Sequence, residues 1–331
     1  MANNTYKSCF KDEISVYMEV RFHELSKDAF RHCRYAVLNF DEYINGLKLD
    51  EKRITFEIVD GWIRQTSTGI TTNTLAQHVH YIRHFLLYLS GLGYSCAIPR
   101  NIRAKDTYVP YLYSDDELAR IFQAADSIHS KKPTKNKWAH LEMPMLLRLL
   151  YCCGMRVGEA VSITVGDIDF SRQTILLRVT KKYKQRLVPI SSELGEQLYK
   201  YCISMGVLQE PQAFVFPGAD RYSPLTVNSV RNYFKGILEK SGITRKEYGK
   251  RERGPCLHCL RHIFAVKSFA KNEKNGMNAR DAVPFLSTYL GHDSLQETEK
   301  YLKYCGDYFS DTVMMFDEFA GGLFPEVKFD A

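Results

Sequence analysis

No stretch of this sequence stays apolar for the ~20 residues that a membrane-spanning helix needs. The best run, Leu146 to Cys153, contains Arg148. The opening residues, MANNTYKSCFKDE, hold neither an apolar core nor a small-residue cleavage site, so no secretory leader is expected. A soluble, cytoplasmic protein is the expectation. A disulfide framework is not expected either: the nine cysteines are odd in number and scattered. Cys256-Leu-His-Cys259 is a lone CxxC with no second ligand pair at zinc spacing, so no metal site is expected. Also missing are GxxxxGK[ST], GxGxxG after a strand, HExxH and GxSxG. Their absence excludes nucleotide hydrolysis and zinc proteolysis of the familiar kinds.

What is present reads as globular. The chain has 331 residues, 45% apolar and 25% charged, with 20 glycines and 11 prolines. Such a length suggests about two domains. The net charge of +7 is modest, but residues 231–253 carry eight Lys/Arg against three Glu. That run suits either a solvated helix face or a phosphate-binding surface.

Hydrophobic periodicity divides the chain. In the first part, Phe30, Cys33, Val37, Phe40 and Ile44 follow helical spacing after Ser26, a good N-cap. Leu75, Val79, Ile82, Leu86 and Leu89 make a second long stripe, ended by Gly91 or Gly93, with His78, His80, Arg83 and His84 on the other side. A helix near Ile14–Leu25 and a shorter pattern at Phe56–Ile63 complete a helical bundle over 1–98. Residues 99–112 lack either period and hold Arg100, Arg103 and Lys105, as a basic linker would. In the remainder, 113–331, helices are expected near 115–127, 138–153, 156–163, 192–205, 225–241, 258–272, 280–290 and 294–304. A β-hairpin over Thr174–Val179 and Arg186–Ile190 would carry Lys181, Lys182 and Lys184 at its tip.

Four pieces carry potential chemistry. A break at Gly154 puts Arg156 at a helix start, able to face an anion or to pair with Glu159 at i, i+3. The hairpin lysines could bind phosphate, donate a proton, or simply face water. His258 and Arg261 share a helix face. Leu290-Gly291 ends a helix just before His292, and Tyr301 follows nine residues later.

In this order, the runs GMRVGEAVSI, KKYKQRLVPI, HCLRH and LGH, followed by Tyr301, resemble the tyrosine recombinase (phage-integrase) family over about residues 113–305. The resemblance implies a mainly α fold: a helical core-binding domain and a mixed α+β catalytic domain with a small antiparallel sheet. It implies that Tyr301 is the nucleophile, with Tyr304 the next candidate. Arg156 and Arg261 would be the catalytic arginines, Glu159 an orienting acid, His258 the base and His292 a further donor. Lys181 would be the acid, because it stands five residues before Arg186; Lys182 competes for that role, since the family's Gly-Lys-Gly tip is Thr180-Lys181-Lys182 here. His262 is expected to pack in the core.

The activity implied is DNA cleavage and rejoining through a 3′-phosphotyrosyl link, without ATP, metal or other cofactor, in integration, excision or transposition. A chromosome-dimer resolvase, a type IB topoisomerase-like enzyme and a non-catalytic DNA-binding protein are the rival readings. Double-stranded DNA is the expected partner, met by Arg31, Arg34, Arg83, Arg100, Arg103, Lys105, Lys182, Lys184, Asn228 and Arg231. The apolar tail with Val313, Met314, Met315, Phe316, Phe319, Leu323 and Phe324 is expected to join protomers in a synaptic tetramer, possible accessory proteins aside. No arm-binding domain is discerned before residue 10, so simple core sites are expected.

Overall fold

The computed structural model describes residues 6–103, 110–128, 137–178, 185–218, 220–243 and 254–304. The chain forms two compact units, Met1–Tyr108 and Val109–Ala331. Lys105, Lys181, Lys182, Lys184 and the apolar tail lie outside the described residues.

Among the described residues, the first unit contains four helices: α1 (Lys11–Glu24), α2 (Lys27–Leu47), α3 (Phe56–Ser67) and α4 (Thr72–Gly91). The Ser26 and Thr71 hydroxyls accept the N–H groups of Ala29 and Thr74, satisfying orphan donors at the starts of α2 and α4. The expected stripes of both helices are buried except for the half-buried Phe30, and they meet Phe10, Ile14, Tyr17 and Trp62 in one core. Trp62 keeps its indole N–H satisfied by donating to Asn39 Oδ1 at 2.8 Å. His78 departs from the sequence reading. It is buried against Tyr35 rather than displayed with His80 and His84, because it sits one position before Val79 at the edge of the apolar stripe.

The second unit is built on α6 (Ala139–Cys153), which is buried along most of its length. Around it lie α5 (Asp115–Asp126), α7 (Val157–Val161), α8 (Ser192–Ser204), α9 (Val227–Lys240) and α10 (Leu257–Lys274). A capping box of Ser114 and Glu117 starts α5. Then α11 (Ala279–Leu290) and α12 (Leu295–Glu299) follow, and the chain closes into a 3-10 turn at Lys300–Tyr304. A continuous helix over 294–304 was the expectation; the tighter turn instead tucks Tyr301 into the core formed by α10 and α11.

The sheet has three antiparallel strands rather than two. β1 (Ile168–Asp169) precedes the expected pair, β2 (Thr174–Leu177) and β3 (Arg186–Pro189), and the order is β1-β2-β3. Two residues are too few to show an alternating pattern. In β2 and β3, Ile175 pairs with Val188 and both face the core, while Leu177 pairs with Arg186. That register places Arg186 at the mouth of the site described next.

Candidate active site

Two helix ends set the frame. The carbonyl groups at a helix C-terminus have no intrahelical partners and carry the negative end of the helix dipole. α6 ends at Gly154 (φ +59°) and α11 ends at Gly291 (φ +66°), both left-handed caps suited to glycine. A Cβ on Gly154 would lie 2.3 Å from the Phe264 ring, and one on Gly291 would lie 2.9 Å from Arg186 Nη1. Neither position has room for a side chain.

Arg261 joins these two ends. Its Nη1 donates to the Gly154 carbonyl and its Nη2 to the Leu290 carbonyl, both at 2.7 Å. The residue is 1% exposed. Burial, then the neighbouring Arg156 cation, lowers its pKa to about 10, so it remains charged at neutral pH. Arg156, the N-cap of α7, donates through Nη2 to the Gly291 carbonyl at 3.2 Å.

Glu159 ties a second pair of cations to this frame. Arg156 Nη1 donates to its Oε1 at 2.9 Å, and the Arg156 backbone N–H donates to its Oε2 at 2.9 Å. From the opposite side, Arg186 donates to the same two oxygens at 3.0 and 2.7 Å. Burial alone would raise the Glu159 pKa. The hydrogen bonds from Arg186 and Arg156 outweigh it and hold the carboxyl at about 2. Arg156 therefore does pair with Glu159, as the local spacing allowed, but around a buried carboxylate shared with Arg186 rather than on a surface helix.

The aromatic residues complete the cluster. Tyr301 is 6% exposed, and its hydroxyl lies 3.0 Å from His262 Nδ1. His292 stacks over Tyr301 with centroids 6.2 Å apart, and its Nδ1 lies 2.6 Å from Thr298 Oγ1. Burial, then the Arg261 and Arg156 charges, pushes His292 down to about 3, so its imidazole is neutral at physiological pH. Burial also raises the Tyr301 phenol, against a smaller downward pull from Arg261. The site therefore holds a neutral phenol beside the buried Arg261. His258 is exposed at the start of α10, with its ring 4.6 Å from that of His262.

Arg156, Glu159, Arg261, His292 and Tyr301 are thus gathered from well-separated parts of the chain, and His258 stands beside His262. Two residues exceed the roles read from sequence. His262 is buried as expected, but its imidazole contacts the Tyr301 hydroxyl. Arg186 served only as a spacing mark, yet it grips Glu159. An Arg opening a strand whose alternate positions are apolar was the available signal for the latter. Thr298 was not singled out; it is fully buried beneath His292.

The expected DNA contacts are dispersed. Arg31, Arg100, Arg103, Asn228 and Arg231 are exposed, and Arg34 is half-buried. Arg83 donates to the Pro99 carbonyl at 2.6 Å, pinning the segment that carries Arg100 and Arg103. Cys256 and Cys259 sulfurs lie 3.4 Å apart, and among the described residues no cluster of three or more His, Cys, Asp or Glu could hold a metal ion.

Comparison with known proteins decides the family, because residues 112–304, more than half of the chain, match the description "Phage integrase family". The chain belongs to the phage integrase family. Members of this family are tyrosine recombinases, DNA breaking-and-rejoining enzymes, and this integrase-family chain carries out site-specific recombination by tyrosine chemistry. It is similar to the protein y4rB of Sinorhizobium fredii, with 26% identity over 309 residues, 89% of this chain and 93% of that one. It is 27% identical over 255 residues to the tyrosine recombinase XerC of Bacillus subtilis, covering 74% and 75% of the two chains. In fold, the integrase-family chain is similar to XerH recombinase in a post-cleavage complex with palindromic difH DNA. That match has a TM-score of 0.67 at 16% identity, over 95% of this chain and 91% of that one. A lambda integrase dimer bound to a COC′ core site matches at TM-score 0.64 and 16% identity, covering 88% and 94%. Among the described residues, no helix is long and apolar enough to cross a membrane.

Proposed function

We propose that Tyr301 is the nucleophile of this recombinase and that Arg156 and Arg261 hold the scissile DNA phosphate. The observation that carries the reading is the convergence of Arg156, Arg261, His292 and Tyr301 on the paired ends of α6 and α11. The Tyr301 oxygen attacks phosphorus, forms a 3′-phosphotyrosyl ester and releases a 5′-hydroxyl. One phosphodiester is exchanged for another, so the energy of the bond is conserved and ATP is not needed. Guanidinium groups offer paired N–H donors to the non-bridging oxygens as charge builds on them. Their carbonyl and carboxylate partners fix them in advance, which is what makes such donors effective. His292, neutral and backed by Thr298, adds a donor without adding charge. Lys181 supplies the leaving-group proton and His258 borders the phosphate on the solvent side.

The partner is double-stranded DNA, bound in the cytoplasm by both units. Arg31, Arg34, Arg100 and Arg103 serve the first unit, and Asn228 and Arg231 the second. Protomers assemble into a synaptic tetramer on DNA, joined by the apolar tail. The reaction integrates, excises or transposes a mobile element.

Covalent trapping tests this. Nicked duplexes of randomised sequence are incubated with the protein in chelator, without ATP, and adducts that survive denaturation are sequenced. Wild type should give adducts at a DNA 3′ end that share an inverted-repeat-like sequence, and Tyr301→Phe should give none. Adducts that persist in Tyr301→Phe would transfer the role to Tyr304. Salt-sensitive DNA binding without any adduct would leave a DNA-binding protein.

A further inference from the structure

We infer that His262, and not His258, accepts the proton of the Tyr301 hydroxyl during DNA cleavage. The inference rests on the reading of Tyr301 as the nucleophile. Its basis is geometric. His262 Nδ1 lies 3.0 Å from the Tyr301 hydroxyl, within the reach a proton acceptor needs. Both residues are buried, at 5% and 6% exposure, so bulk water does not compete for the proton. His258 stands one helical turn earlier on α10, exposed, with its ring against that of His262. The His262 ring is tilted against that of Tyr301 at 5.4 Å between centroids, and the His292 ring is stacked at 6.2 Å. The phenol of Tyr301, raised by its burial, needs such an acceptor to attack at neutral pH.

The step balances. The step requires His262 in the tautomer with Nδ1 unprotonated and the hydrogen on Nε2. As the Tyr301 oxygen bonds to phosphorus, its hydrogen passes to Nδ1 and the ring becomes a cation. The bond from phosphorus to the 5′-oxygen breaks, and that oxygen takes its proton from the separate acid, Lys181. On rejoining, the 5′-hydroxyl gives its proton back to Lys181 as its oxygen attacks phosphorus, the tyrosyl oxygen leaves and His262 returns the proton to it. His262 is thereby a catalytic residue, because it touches a reacting atom in both directions. The packing role expected for it is retained but is not its whole purpose.

The test uses the full chain and the duplex that wild type selects from the randomised pool. Adduct formation is timed on the ordinary duplex and on one whose scissile 5′-oxygen is replaced by sulfur, a leaving group that needs no proton. His262→Ala should slow adduct formation on both duplexes by about 10²–10⁴-fold, with unchanged DNA affinity. His262→Gln can still hydrogen-bond the hydroxyl but takes no proton, and it should be equally slow while unfolding near the wild-type temperature. This variant separates chemistry from folding. Rates within about threefold of wild type in His262→Gln would overturn the inference and leave a positioning role. Recovery of His262→Ala on the sulfur duplex would also overturn it, by making His262 the leaving-group acid. A rate above wild type would overturn it too, by making the contact a brake. If wild type itself forms no adduct, the failure belongs to the Tyr301 assignment and not to His262.

Discussion

Glu159 is the residue on which the charge balance of the site turns. It stands between Arg156 and Arg186, and both contacts favour its ionised form. Its folded pKa of about 2 lies below the ordinary value of 4.5. A depressed carboxyl stabilises the fold fully above the unfolded pKa, and that stability is lost as pH falls from about 4.5 towards 2. The shift corresponds to about 3 kcal/mol. His292 acts over a higher window. Its folded pKa of about 3 lies below 6.5, so the unfolded state gains the proton first and stability falls as pH drops from about 6.5 towards 3. Urea midpoints measured at pH 7, 5 and 3.5 should therefore decline across both intervals, through His292 alone in the upper and through His292 and Glu159 together in the lower. His292→Gln should flatten the decline in both intervals, and Glu159→Gln only in the lower. Glu159→Ala removes the shared counter-charge and should cost ~3–5 kcal/mol at pH 7; a loss below 1 kcal/mol would mean that water replaces the carboxylate. Arg261→Met should lower adduct formation by ~10²–10³, and normal cleavage by that variant would remove Arg261 from the site.

At the level of elements, the active site is made by where helices stop. Gly154 and Gly291 end α6 and α11 in the left-handed conformation and expose the carbonyls that Arg261 and Arg156 bind. Gly154→Ala would force a Cβ into the Phe264 ring at a positive φ, a cost of ~1–3 kcal/mol. Its melting temperature should fall accordingly. Gly291→Ala meets the same positive-φ strain and presses on the Arg186 guanidinium besides, so cleavage should fall along with the melting temperature. Unchanged cleavage by the folded variant would show that Arg186 gives way without disturbing Glu159. Much of this was legible beforehand. Helical spacing marked α2 and α4, and Gly154 and Gly291 marked the two breaks. β1 was not legible, because two residues carry no period, and the turn at Lys300–Tyr304 was not, because its helical pattern continues from α12. Arg186 and His262 escaped for a different reason: their partners stand 27 and 39 residues away in sequence, and a local pattern can mark such a residue without naming what it touches.

For the molecule as a whole, the question is how its positive charge meets DNA. A net charge of +7 is too small to act by itself, so arrangement must matter. In the first unit, Arg100 and Arg103 are exposed on a segment that Arg83 anchors through Pro99, while Arg31 is partly engaged by Asp28. In the second unit, Arg231 lies on the exposed face of α9 beside Asn228. Each arginine that neutralises a phosphate releases condensed counterions, so its removal should reduce the slope of log K against log salt by about one. Duplex affinity measured between 50 and 200 mM salt with Arg100→Ala, Arg103→Ala and Arg231→Ala should show that flattening for each. Arg83→Ala should weaken binding with a smaller change of slope, because its guanidinium holds the segment rather than a phosphate. If only the first-unit variants flatten the curve, Arg231 does not reach the backbone and the second unit meets DNA through its active site alone. If none do, the affinity comes from residues outside those described, and the hairpin lysines Lys182 and Lys184 become the next substitutions to make.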